Sequence, residues 1–179
     1  MKRLLKFIPE NWLATIALRH FGFFKIPLLF FVRPSIIELS DDTVVVKVPL
    51  RRRTRNHLGS MYFGALAIGA DCAAGLIAMK RIQESPQSIS LIFKSLKAEF
   101  LKRAEGDVYF ICNQGRKISD LVAAAEASDQ RVESPVEVVA TVPDQFQEDP
   151  VARFTLVLSL KKKIAENTDL RQTANKRRQ

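Results

Sequence analysis

Residues 60–79 read SMYFGALAIGADCAAGLIAM, and across the nineteen positions after Ser60 the only charged side chain is Asp71. Length alone allows a membrane span. The composition argues for something else: Gly64, Ala65, Ala67, Gly69, Ala70, Ala73, Ala74 and Gly75 make a slender rod of modest hydrophobicity. Small residues let a neighbouring element pack very close, and a helix that is apolar all round is buried all round. The stretch therefore predicts a central helix enclosed by a sheet. Ser60 is a plausible N-cap, and the helix should run to about Gln83 and stop before Pro86.

Working outward, residues 35–39 (Ser-Ile-Ile-Glu-Leu) and 43–50 (Thr-Val-Val-Val-Lys-Val-Pro-Leu) are β-branched runs separated by Asp41-Asp42, which predicts a hairpin. An irregular basic loop, 51–60, leads into the helix. Beyond it, residues 88–101 alternate through Ile89, Leu91 and Phe93 and reach Phe100 and Leu101. Residues 107–113 read as the hairpin partner of that strand across Glu105-Gly106. Ile118, Leu121, Val122 and Ala125 fall at helical spacing and predict a short amphipathic helix over 117–128. Two strands, 136–142 and 152–160, joined by the loop 143–150, complete the order. The fold class is α+β: one long central helix wrapped by a curved, largely antiparallel β-sheet over residues 35–160.

Two flanks lie outside this domain. Residues 1–34 predict an amphipathic helix followed by an extended segment, and 161–179 a basic C-terminal tail. Met1-Lys2-Arg3-Leu4-Leu5 resembles the charged end of a signal peptide, but Pro9, Glu10 and Asn11 interrupt it, so no secretory signal is read. From Trp12 to Val32 the chain is apolar and aromatic yet contains Arg19, His20, Lys25 and Pro27, too many costly groups for a spanning helix. Trp12, Phe21, Phe23, Phe24, Phe30 and Phe31 could lie on a membrane interface as a peripheral contact, or cover the domain or a partner subunit.

With 179 residues, 47% hydrophobic and 26% charged, the chain is one ordinary globular domain. Cys72 and Cys112 are the only cysteines and form no CxxC pair, which argues against a zinc site and for a reducing, cytoplasmic setting. His20 and His57 are the only histidines, which leaves few metal sites and, without a GxSxG elbow, no serine hydrolase. The net charge of +9 is unevenly placed: residues 1–34 hold six basic groups and one acid, and 161–179 hold seven and two. Arg51, Arg52, Arg53 and Arg55 form the third cluster. Such charge suits an anionic partner, whether nucleic acid, membrane surface or a phosphate-bearing small molecule, or simply solvated tails.

The residue that most asks for an explanation is Asp71, since a carboxylate within an enclosed apolar helix is costly unless paired or protonated. It is either a general base or nucleophile, or a structural partner of a loop arginine; the residues alone leave both open. Asn56 stands ahead of Gly59-Ser60 and the helix start, where backbone N–H groups suit an anion or a polarised carbonyl. Asp71 is too far along the axis for one subunit to join both parts easily. Two such helices packed antiparallel across a two-fold axis would do so.

The run Asn56-His57-Leu58-Gly59-Ser60-Met61-Tyr62-Phe63-Gly64-Ala65, closing on Asp71, resembles the pattern N-x-x-G-[ST]-x-H-G-G-A-x-x-x-x-x-D of hotdog-fold acyl-CoA thioesterases of the phenylacetyl-CoA thioesterase type. The stretch 99–107, Glu-Phe-Leu-Lys-Arg-Ala-Glu-Gly-Asp, is similar to that family's strand and turn, FLRPA..GD. The resemblance covers about residues 35–160 and is nearest to an uncharacterised bacterial branch. It implies a hotdog fold and a thioester site at a homodimer interface, and leaves open whether dimers pair further into tetramers. Asp71 would activate water or attack the carbonyl carbon. Asn56 and the Phe63 N–H of the other subunit would hold the thioester oxygen, and a hydroxyl on the strand after the helix, here Ser95 on the face of Phe93, would assist. No cofactor or metal is implied beyond the coenzyme A moiety of the substrate. Its phosphates are candidates for Arg51, Arg53 and Arg55, and for Lys161 to Lys163.

This chain departs from the pattern where the family has His-Gly-Gly and it has Tyr62-Phe63-Gly64. A phenol replaces the imidazole, and an aromatic ring narrows the acyl-binding pocket beside Tyr62 and Gly64. The alternative reading is therefore a non-catalytic acyl-CoA or fatty-acid binder. A nucleic-acid role is not expected, because the basic runs lack interleaved aromatics. A dehydratase on the same fold would need a histidine near the acyl chain, and neither His20 nor His57 is so placed.

Overall fold

A computed structural model describes residues 10–163. The signal-like start and the basic tail beyond Lys163 lie outside the described residues. In chain order the elements are α1 (Glu10–Lys25), α2 (Pro27–Val32), β1 (Ser35–Leu39), β2 (Val44–Val48), α3 (Phe63–Glu84), β3 (Ile89–Phe100), β4 (Val108–Cys112), α4 (Gly115–Ala127), β5 (Val132–Thr141), α5 (Pro143–Phe146) and β6 (Pro150–Lys162). The six strands form one antiparallel sheet in the order β1-β2-β4-β5-β6-β3. The sheet wraps α3, the hotdog arrangement that the resemblance implies.

Alternation sets the inner face: Val44, Val46 and Val48 of β2, Val108 and Phe110 of β4, Val136 and Val138 of β5, and Leu156, Leu158 and Leu160 of β6 are all buried. Against them α3 turns Ala65, Leu66, Ala70, Ala73, Ala74, Ile77 and Ala78. The tightest approach is at Gly69, where a Cβ would stand 2.2 Å from Phe110 Cε2. The Phe110 ring fills the space that any side chain at Gly69 would need. Alanine and glycine thus set the distance between helix and sheet, and α3 is a core helix rather than a membrane span.

Four expectations are corrected. The segment after the first helix is helical: Ile26 separates α1 from α2, and Gly22 permits the two to cross with a would-be Cβ 2.8 Å from the Phe30 nitrogen. The N-cap of α3 is Tyr62, not Ser60, whose hydroxyl is committed to Asn56. The hairpin read for 88–101 with 107–113 does not form: β3 pairs with β6, while β4 lies between β2 and β5. The strand read as 136–142 starts earlier, at Val132, in register with Leu160 of β6. The hairpin of β1 and β2 and the amphipathic α4 form as expected.

The sheet has two edges, treated differently. At β1 the side chains of α1 cover the strand: Thr15 Oγ1 accepts from Ile36 N (2.8 Å), Arg19 Nη2 donates to Ser35 Oγ (2.9 Å), and Asn11 Nδ2 donates to the Ile37 carbonyl (2.6 Å). At the other edge β3, twelve residues long, has no strand beyond it among the described residues and exposes Ile92, Leu96 and Phe100. A long exposed apolar edge is a template for a further strand.

Replacing Gly69 by alanine raises helix propensity yet forces a methyl into Phe110, so Gly69→Ala should cost about 1–3 kcal/mol in urea unfolding, as overpacking does. Combined with Phe110→Leu, the penalty should be smaller than the sum of the two single changes. A stabilised Gly69→Ala chain would mean that helix and sheet do not approach this closely.

Candidate functional site

The loop 51–61 is built around Thr54, 1% exposed amid four exposed arginines. Its hydroxyl donates to the Pro49 carbonyl (2.7 Å) and accepts from Arg51 N (2.9 Å), while its own carbonyl accepts from Tyr62 N (2.8 Å). One residue thus ties the end of the β2 segment to the start of α3. Next, Asn56 and Ser60 close a tight bend: Asn56 N donates to the Ser60 carbonyl (2.8 Å), and Leu58 N donates to Asn56 Oδ1 (2.9 Å). Gly59 supplies the one positive φ the bend requires, +87°. The Asn56 amide, expected to face a substrate, donates to Ser60 Oγ (3.1 Å), so in this structure it orders the loop.

The stretch 99–107 supports that loop from beneath. Ala104, 3% exposed, accepts from Met61 N (2.8 Å), Arg103 Nη2 reaches the Leu58 carbonyl (2.6 Å), and Asp107 Oδ1 accepts from Leu50 N (2.9 Å). Thr54, Arg103, Ala104 and Asp107 are the positioning residues that sequence reasoning missed. The similarity of 99–107 to the family's strand and turn was the one signal pointing to Arg103, Ala104 and Asp107; nothing singled out Thr54.

At the start of α3 the Phe63 and Gly64 N–H groups have no partner among the described residues, as the first turn of a helix leaves them. The Tyr62 and Phe63 rings flank this point, centroids 4.6 Å apart and both exposed, and the Tyr62 ring lies over Gly64, where a Cβ would meet it at 2.6 Å. His57 is exposed on the same loop.

Asp71 stands eight residues from Phe63, about 12 Å along the helix axis. It lies on the stripe of α3 that its own sheet leaves partly open, together with Gly64, Ala67, Gly75 and Met79. Among the described residues its carboxylate has no hydrogen bond and no ion pair; the basic side chains that do pair from α3 go elsewhere, Lys80 to Asp41 and Arg81 to Glu84 and Asp41. A loop-arginine partner for Asp71 is therefore not what the structure holds. Burial pushes its carboxyl above the ordinary carboxylate range, and burial with the neighbouring Asp71 charge keeps the Cys72 thiol protonated.

Ser95 does not share the face of Phe93. A bulge between Phe93 and Ser95 shifts the register by one residue, so Phe93 opposes buried Leu158 while Ser95 opposes Val157 on the outer face. Phe93 itself reaches the open stripe, 3.6 Å from a would-be Cβ on Gly75. The sheet's outer face carries a separate cavity of 830 Å³, lined by Val45, Tyr109, Ile111, Gln114, Val139 and Thr141 among others and by none of the predicted site residues.

Arg51, Arg53 and Arg55 project from the loop and are exposed. Arg53 is turned to α2, with Nη1 donating to the Phe31 carbonyl (3.3 Å) and its guanidinium 5.5 Å from the Phe31 ring centre. Arg51 and Arg55 make no ion pair among the described residues.

A family profile, "Domain of unknown function (DUF4442)", matches residues 15–158. No curated protein matches. Among solved structures, a protein of unknown function from Chlorobaculum tepidum aligns at a TM-score of 0.71 with 15% identity, covering 84% of this chain and 95% of that one. A Pseudomonas aeruginosa protein of unknown function, described as a probable thioesterase, aligns at 0.65 with 24% identity over 83% and 96%. A Haemophilus influenzae thioesterase aligns at 0.58 with 11% identity over 79% and 86%. At these identities the likeness is one of fold, and that fold is the hotdog fold.

A raised carboxyl pKa means that the folded chain holds the Asp71 proton more tightly than the unfolded chain. Its contribution to stability is present below the ordinary carboxylate pKa and is lost as pH rises through the raised value. Asp71→Asn should accordingly melt higher than the wild type at pH 7, with the gap closing below about pH 4. A wild type that is the more stable at pH 7 would reveal a partner for the carboxylate.

Proposed function

The chain belongs to the DUF4442 family, and from that premise we propose that it is a cytoplasmic acyl-CoA thioesterase whose site is completed by a second copy of the chain. The observation that carries the reading is Asp71: a partly buried carboxylate, unpaired among the described residues, with a raised pKa on the open stripe of the core helix. A carboxylate in that state suits a general base or nucleophile near neutral pH. The thioesterase-like proteins of the same fold support the reaction class.

In the proposed reaction Asp71 takes a proton from water, which attacks the thioester carbonyl carbon. The oxyanion that forms accepts a hydrogen bond from the unpartnered Phe63 N–H. Collapse breaks the C–S bond, the proton passes to the leaving sulfur, and a carboxylic acid and free coenzyme A result. The roughly 12 Å between Phe63 and Asp71 along one helix favours a site in which each comes from a different copy, with helices antiparallel across a two-fold axis. The open edge of β3 supports such pairing. Asn56 holds the loop through Ser60 Oγ, and the second N–H of its amide is the donor left for the thioester oxygen. Arg51 and Arg55 meet the coenzyme A phosphates, a role their exposure supports. Two buried free thiols, Cys72 and Cys112, accord with a reducing compartment.

A specific feature favours the acyl-binding alternative: the exposed Tyr62 and Phe63 rings crowd the helix start where the related pattern has His-Gly. Thiol release from short, long and aromatic acyl-CoAs separates the two. We expect hydrolysis by the wild type, a loss of at least about a hundredfold in Asp71→Asn, and an acid limb in the pH profile above the ordinary carboxylate range. Tight acyl-CoA binding by both forms with no thiol release from either would establish the binder instead.

A further inference from the structure

Residues 11–37 contain Arg19, Lys25 and Arg33 and no aspartate or glutamate. In the fold this segment supplies α1 after its first residue, Glu10, and all of α2; the two helices lie over β1 and use Thr15, Leu18, Gly22, Leu29 and Val32 as their buried side. Their outward side is apolar as well: Trp12, Phe23, Phe24, Leu28 and Phe31 are each at least half exposed. The rings pack on one another in tilted and edge-to-face contacts rather than being scattered, with centroids of His20 and Phe24 4.6 Å apart, Phe23 and Phe24 4.9 Å, and Phe23 and Phe30 5.1 Å. The contacts cross from one helix to the other, so the patch is continuous. Soluble surfaces rarely expose such a cluster without an occupant.

Positive charge flanks it. Exposed Lys25 stands between Phe24 and Ile26, Arg33 caps α2, and Arg53 lies against Phe31. This charge selects among occupants. A second copy seated face to face would set Lys25, Arg33 and Arg53 toward the same cations of its partner, with no acid between Asn11 and Ile37 to offset them. An anionic lipid surface complements both features: aromatic rings enter the headgroup boundary while the cations stay among the phosphates.

We propose that the outward face of α1 and α2, with Arg53, docks on an anionic lipid bilayer. This inference does not rest on the thioesterase reading. It does give that reading a geometry, because Arg53 and Thr54 link Phe31 to the Tyr62 N–H at the start of α3. Docking therefore sets the helix start close to the lipid surface.

The test is flotation of the full chain with vesicles of phosphatidylcholine alone and of equal parts phosphatidylcholine and phosphatidylglycerol, at low and high salt. The chain should float with the anionic vesicles, with weaker binding at high salt, and stay behind with the neutral ones. Phe24→Ser with Leu28→Ser, and separately Lys25→Glu with Arg53→Glu, should each weaken partitioning by about tenfold or more. Circular dichroism melting checks that both variants fold. Absence of binding to anionic vesicles by folded wild type, or equal binding to both compositions, would overturn the proposal. So would concentration-dependent self-association that Phe24→Ser with Leu28→Ser abolishes, which would assign the face to a second copy.

Discussion

The structure depends on how closely α3 can approach the sheet. At Gly69 the Phe110 ring occupies the place of a side chain, and along the same face alanines keep the separation small. A bulkier helix would hold the strands away, leaving voids between helix and sheet that close-packed interiors do not tolerate. Because the helix is slim, the inner residues of β2, β4, β5 and β6 all reach it. The strands curl round only part of its circumference, and the remainder, the stripe through Gly64, Asp71, Gly75 and Met79, is left for something outside the sheet.

That constraint also governs the edges. The β1 edge is closed by side-chain hydrogen bonds from Asn11, Thr15 and Arg19. The β3 edge, which borders the open stripe through Phe93 and Gly75, is long and carries exposed apolar side chains. The β1 edge is covered by α1, whereas β3 carries Lys94, Lys97 and Glu99 among its apolar side chains but no covering element among the described residues, so a further strand would add on the side where Asp71 lies.

The central helix was legible because its signature is compositional: small apolar residues over nineteen positions suit a tightly enclosed helix and little else. Strand pairing was less so. The short connection 101–107 suggested a hairpin, but seven extended residues reach up to about 25 Å, while stepping over β5 and β6 needs only about 14 Å at the ordinary strand spacing. A short loop on a curled sheet does not identify a neighbour. Ser95 failed for a related reason, since one extra residue in a bulge reverses every later side chain, and nothing in Phe93-Lys94-Ser95 announces it. Asn56 was found as a site residue by its spacing, yet its amide also orders the loop through Ser60, and the deeper anchor is Thr54, hidden among arginines.

Asp71 is the residue on which a structural and a functional account diverge most. A carboxylate kept for stability would be paired, since an unpaired partly buried charge costs free energy that a counter-ion could offset. This chain has a net charge of +9 and places four arginines in the loop before α3 and Lys80 and Arg81 within it. Supply of cations is therefore not the limit. Lys80 goes to Asp41 at the β1–β2 turn, Arg81 to Glu84 and Asp41, and Arg53 to Phe31. An apolar residue at 71 would suit the stripe better in isolation. The persistence of an acid there, unpaired and facing the only uncovered side of the core helix among the described residues, makes sense if what covers that side brings a group for the carboxylate to act on.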